Sequence, residues 1–77
     1  NHEDEAIIEL NRATELDPDD PEVFFNLGGV YMLKDCFENA TRCFERVIEI
    51  NPTDTTGYAN LAAAYDMQQM YDEEISV

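Results

Sequence analysis

The chain has 77 residues, enough for one small domain with a thin core. It carries 18 acids against 4 bases, a formal charge of -14, and has no Lys or Arg after Arg46. Such a surface repels phosphate backbones and anionic membrane surfaces, which argues against nucleic-acid and membrane binding and in favour of basic partners.

The apolar content of 44% is ordinary for a folded protein, and acid-rich helix faces favour solubility. No apolar run approaches the ~20 residues that span a bilayer, and no basic-then-apolar segment opens the chain. Neither a signal peptide nor a transmembrane helix is therefore expected. Cys36 and Cys43 are seven positions apart. On one helix that is about 10 Å along the axis, too far for a disulfide. Two reduced thiols suit a cytoplasmic protein.

Apolar residues recur at helical spacing throughout, and period-2 alternation is nowhere sustained. A first helix is predicted from about Glu3 to Leu16, with Ala6, Ile7, Leu10 and Ala13 on its apolar side and Pro18 after its end. Asp20 is a good N-cap for a second helix from about Pro21 to Leu33, with Pro21 at its first position and Glu22 in its first turn. Its apolar stripe is Phe24, Leu27, Val30 and Tyr31. A third helix runs from about Phe37 to Ile50, with Phe37, Ala40, Phe44, Val47 and Ile48 inward and Pro52 beyond its end. Asp54 caps a fourth helix expected from about Thr55 to Gln68, and a fifth is expected to begin near Tyr71. Short connections make neighbouring helices antiparallel hairpins.

The segment from Pro21 to Asp54 is one unit of a 34-residue period. Leu27, Gly28 and Tyr31 return as Leu61, Ala62 and Tyr65. Ala40, Phe44, Val47 and Pro52 have earlier counterparts in Ala6, Leu10, Ala13 and Pro18. Self-similarity at a period of this size means a stacked solenoid. Phe24, Leu27, Gly28, Tyr31, Ala40, Phe44, Val47 and Pro52 fall at the spacings of the tetratricopeptide repeat (TPR), and the chain resembles that family over essentially its whole length. Phe24 stands where Trp is commonest, and Val47 replaces an Ala.

The resemblance implies an all-α fold of antiparallel hairpins stacked as an α-solenoid. Residues 1–77 then form a single segment of a longer array. Residues 1–20 would be the second helix of a partial repeat, 21–54 a complete repeat, and 55–77 a partial, degenerate one. Gly28, Ala40 and Ala62 are small where helices should cross closely, with Phe24, Tyr31, Phe37 and Phe44 filling the space around them. The turn glycine usual in the family is replaced by Asp35 and by Gln69, with Asn1 at the equivalent chain start, and Gln tolerates a left-handed conformation poorly. Glu74 occupies the place of a small residue, where burial without a partner would be costly, so the last helix is expected to be frayed or displaced. Glu3 stands where Phe37 and Tyr71 sit in their units.

By the same resemblance, first helices of each repeat line a concave surface that binds extended peptides or partner helices. Glu22, Phe25, Asn26, Gly29, Met32 and Leu33 map there from one unit, and Thr56, Ala59, Asn60, Ala63, Asp66 and Met67 from the next. Asn26 and Asn60, one period apart, could pair with the N–H and C=O of a bound backbone. Phe25, Met32, Leu33, Ala59 and Met67 make the centre apolar and adaptable. The expected function is a protein–protein interaction scaffold for a basic or apolar peptide. Another family mode grips C-terminal carboxylates with Lys and Arg, and these first-helix faces carry none, the nearest being Lys34 in the turn. Chaperone tails ending in acidic residues are therefore not expected ligands.

Two other roles fit the residues. One is a self-associating, helix-exchanged module, because Ile7, Leu10 and Ala13 of the first helix would lack a preceding partner. The other is the targeting arm of an enzyme whose catalytic domain lies elsewhere. This segment itself is not expected to be an enzyme. His2 is the only histidine and Ser76 the only serine. No nucleophile–base pairing can be built from them with confidence. Neither cofactor nor metal is expected. The Asp17, Asp19, Asp20 run lacks the turn glycine and loop length of a calcium site. Asn39-Ala40-Thr41 matches a glycosylation sequon, but Ala40 is expected at a helix-packing position and no secretory signal is seen, so the match is read as chance.

Overall fold

The computed structural model describes residues 2–76 and the side chains of residues 2–70. Four helices follow one another: α1 (His2–Leu16), α2 (Pro21–Leu33), α3 (Phe37–Ile50) and α4 (Thr55–Ser76). Each packs on the next in sequence. The Cα trace measures 42 × 33 × 14 Å. A 14 Å thickness is two helix layers, since axes ~8–10 Å apart with Cα cylinders of radius ~2.3 Å add up to about that.

Local chemistry sets the helix ends. Asp20 Oδ1 accepts from the Glu22 amide at 3.0 Å, and Pro21 at the first position loses nothing because its amide would be unpaired there. Asp54 Oδ1 does the same for the Thr56 amide at 2.9 Å. Between α2 and α3 the chain turns through Asp35, at φ 61°. The Cys36 amide donates to the Tyr31 carbonyl at 2.8 Å and the Asp35 amide to that of Met32 at 3.1 Å, which satisfies the last carbonyls of α2.

No such turn follows α4 at the equivalent place. The break expected at Gln69 is absent: α4 continues to Ser76, and no separate fifth helix begins at Tyr71. Two local terms favour this outcome. A left-handed Gln69 would cost ~1–2 kcal/mol, whereas Gln and Met are good helix formers. A returning helix would also bring Glu74 to a packing position. The side chains of Tyr71 and Glu74 lie outside the described residues.

The core is small and centred on α3. Phe37, Ala40, Cys43, Phe44 and Val47 are buried from this helix, with Leu27 from α2 and Ala64 from α4. The Phe44 ring lies over Gly28, so close that a Cβ there would be 2.6 Å from Cε1. It also meets Phe25 edge-on, with centroids 6.2 Å apart. Thr41, the buried polar residue among the described ones, donates its hydroxyl to the Glu38 carbonyl at 2.7 Å.

Two packing expectations are corrected. Ala62 is exposed, as are Tyr58 and Tyr65, each 50% accessible, because α4 does not fold back to cover them. Ile7, Leu10 and Ala13 are half-buried, because α2 packs along α1; the exposed apolar residues of α1 are Ile8 and Leu16.

Candidate interaction surfaces

The residues assigned to the concave face occupy one side of α2 and the corresponding side of α4. Asn26, Gly29, Ala59 and Ala63 are exposed, while Leu33 is 73% and Met67 41% accessible. Phe25, Met32 and Asn60 are half-buried. Phe25 turns its ring edge toward Phe44, and Met32 packs on the cluster of Ala40, Phe44 and Ala64. Each thus has a structural contact as well as an open side.

The two asparagines are not equivalent. Asn60 Nδ2 donates to the carbonyl of Thr56 in its own helix at 2.8 Å, whereas Asn26 is exposed. The N-terminal ends of α2 and α4 enclose a pocket of about 230 Å³ lined by Pro21, Glu22, Phe25, Val47, Asp54 and Thr56. Its floor is apolar and its rim carries two carboxylates, although one oxygen of Asp54 already caps α4.

Lys34, the nearest base, is committed elsewhere: its ammonium pairs with Asp4 of α1. That bond holds the Asp4 carboxyl below the usual carboxylate range and the Lys34 ammonium above its own. The pair ties the start of α1 to the end of α2.

A second depression, about 210 Å³, lies between α1 and α3 with α2 as its floor. Phe24, Leu27 and Tyr31 line it from below, Asn11 and Thr14 from α1, and Asn39, Arg42 and Cys43 from α3. Phe24 and Tyr31, expected to fill space around a helix crossing, are both half-buried and line this groove, and Tyr31 packs against the cluster of Ala40, Phe44 and Ala64 as expected. No periodic signal could have revealed it, since its walls come from two different repeats.

Cys36 and Cys43 are free. Burial pushes the Cys43 thiol up to about 11. At pH 8 roughly one Cys43 thiol in a thousand is then ionised. Iodoacetamide at pH 8 is expected to label Cys36 in the native protein and to reach Cys43 only under denaturant, as read by mass spectrometry of the digested chain. Because the unfolded chain ionises this thiol at lower pH, its contribution to stability is full below the ordinary cysteine range and is lost as pH rises through about 11.

Among the described residues no group of three or more His, Cys, Asp or Glu side chains is placed to hold a metal ion. No described helix is long and apolar enough to cross a membrane.

Antiparallel helices stacked in two layers, with Phe44 packed closely over Gly28 where α2 meets α3, define an all-α helical-hairpin solenoid. Family models described as TPR repeat and tetratricopeptide repeat match residues 4–35, 21–54 and 43–76, and the chain belongs to the tetratricopeptide repeat family. A comparison with curated proteins found no match. Repeats of this family generally mediate protein–protein interaction.

Proposed function

We propose that this chain is a scaffold or adaptor module that binds a peptide or partner helix on the α2–α4 face. The observation that carries this reading is the pocket floored by Phe25 and Val47 and rimmed by Glu22 and Asp54, continued by exposed Gly29, Leu33, Ala59, Ala63 and Met67. The preferred ligand pairs an apolar side chain, which the floor desolvates, with a Lys or Arg, which the carboxylates attract. Asn26 and Asn60 would hold the ligand backbone. The Asn60 bond to Thr56 leaves its amide oxygen to accept from a ligand N–H.

Replacing Asn26 and Asn60 together by alanine is expected to weaken peptide binding with little loss of helicity, since neither side chain is in the core. A selection from a peptide library supplies the probe, and fluorescence anisotropy the affinity. Equal affinity for the double variant would refute backbone pairing by these asparagines.

A self-associating role is favoured by a separate observation: Tyr58, Ala62 and Tyr65 form an exposed stripe on α4. The reading expects a weight-average mass in sedimentation equilibrium that rises with concentration. A constant monomer mass removes it. The free thiols are consistent with a reducing, cytoplasmic location.

A further inference from the structure

We propose that α4 pairs side by side and antiparallel with α4 of a second copy of this chain, through the exposed stripe Thr55, Tyr58, Ala62, Tyr65 and Gln69. This rests on the self-associating role and specifies its surface and symmetry. At 100° per residue the five positions fall within an arc of about 80°. Their successive spacings of 3, 4, 3 and 4 residues are those of a seam between two helices. The α2–α4 face, at Ala59, Ala63 and Met67, is centred about 120° further round the helix.

Charge selects the occupant. Two chains of net charge -14 repel wherever their carboxylates face outward. The helix α1 exposes Glu5, Glu9 and Glu15, and α3 exposes Glu38, Glu45 and Glu49. Residues 55–65 contain no charged side chain at all. Here an equally acidic chain approaches at little electrostatic cost. A basic partner finds no carboxylate within the stripe to hold it. Those at its margins are Asp66 on α4 itself and Glu45 of α3, which accepts from the Tyr65 hydroxyl at 3.5 Å. The 60% exposed Ile8 of α1 makes no comparable patch, since Asp4, Glu5, Arg12 and Glu15 surround it on its helix.

The same charges set the direction. The acids of α4 begin at Asp66, near the far end of the stripe. A parallel pair would bring these ends together, and an antiparallel pair keeps them apart. Under a two-fold axis the stripe meets itself, and Ala62 of each copy lies beneath a tyrosine of the other. Small against large is also how Gly28 receives Phe44 inside the chain. The tyrosine hydroxyls stay at the wet margin while the rings are covered. Such an arrangement closes on itself and stops at the dimer.

Five side chains per copy make an interface smaller than the ~1,200–2,000 Å² of stable complexes, so a dissociation constant on the order of 0.1–1 mM is expected. Sedimentation equilibrium of the whole chain should show a mass rising from 8.8 kDa toward twice that value and no further. Salt should strengthen the association, because the screening length falls from about 10 Å at 0.1 M to about 3 Å at 1 M. Ala62→Glu should weaken it at least about tenfold, whereas Ile8→Glu and Met67→Glu should not. Circular dichroism checks that Ala62→Glu keeps its helices, as expected for an exposed position and a good helix former. In a mixture of isotope-labelled and unlabelled chains, nuclear Overhauser effects should link the Ala62 methyl group to a tyrosine ring of the other copy. A mass that stays at monomer up to roughly 2 mM would remove both this proposal and the self-associating role. Association that is unchanged in Ala62→Glu, lost in Ile8→Glu, weakened by salt or continuing past the dimer would overturn the α4 pairing alone. None of these results bears on peptide binding by the α2–α4 face, whose own test uses basic and apolar peptides.

Discussion

Gly28→Leu is expected to lower the melting temperature by on the order of 10 °C, because the α2–α3 pair cannot close over the added side chain. The first added atom alone decides the sign. A Cβ at residue 28 would stand 2.6, 2.9 and 3.0 Å from three carbons of the Phe44 ring. That ring is 2% exposed and cannot swing into solvent, so the helices must separate or the ring must leave its rotamer. Overpacking of this kind costs ~1–3 kcal/mol and sometimes more. Thermal unfolding followed at 222 nm measures it. A variant that melts with the parent would mean that α2 and α3 do not cross at Gly28. Gly29 supplies the control, since a Cβ there meets nothing within 4 Å. Gly29→Ala should hold or raise stability, as alanine is favoured over glycine within a helix by roughly 0.5–1 kcal/mol.

Phe44→Ala is expected to have the larger effect. Phe44 joins all three helices of the core, touching Gly28 and Phe25 of α2 and clustering with Ala40 of α3 and Ala64 of α4. Truncating a buried Phe costs ~3–5 kcal/mol, from lost transfer energy and the cavity left behind. At ~0.05–0.15 kcal/mol per residue, the whole domain holds only about 4–12 kcal/mol. The variant should therefore unfold at a much lower urea concentration, or be partly unfolded without urea. A midpoint shift worth less than ~1 kcal/mol would show that Phe44 is not the hub of the core. The two sites share one contact, so their effects should not add. In a Phe44→Leu background the ring is gone and Gly28→Ala should cost less than it does in the parent.

The core was legible because its determinants repeat. Gly28, Ala40 and Phe44 occupy period positions whose sizes complement one another, and the structure brings Gly28 against Phe44 and buries Ala40 completely. The caps were legible because an Asp two residues before a free amide is a local arrangement, seen at both Asp20 and Asp54. The period misled at its edges. Ala62 has the size of a crossing residue, yet what it packs on depends on whether the chain turns at Gln69. There a one-residue change from Asp35 removes the support for a left-handed turn.

On the candidate surfaces the sequence supplied the face and the structure supplied the contacts. Helical spacing placed Phe25, Asn26, Met32 and Leu33 together, but only packing divided them into Phe25 and Met32 leaning on the core and Asn26 and Leu33 facing outward. Likewise Asn26 and Asn60 look identical along the chain, and the Thr56 carbonyl engages one of them.

The sequence by itself determined the all-α repeat, the helix starts and the small-on-aromatic register, because those follow from period, capping and side-chain volume within one unit. Only the tertiary structure decided that α4 runs on to Ser76, that Tyr58 and Tyr65 stay exposed, and that α1 and α3 frame a groove edged by Arg42. Burial and grooves arise between helices far apart in the chain, and their energies depend on which neighbour is present.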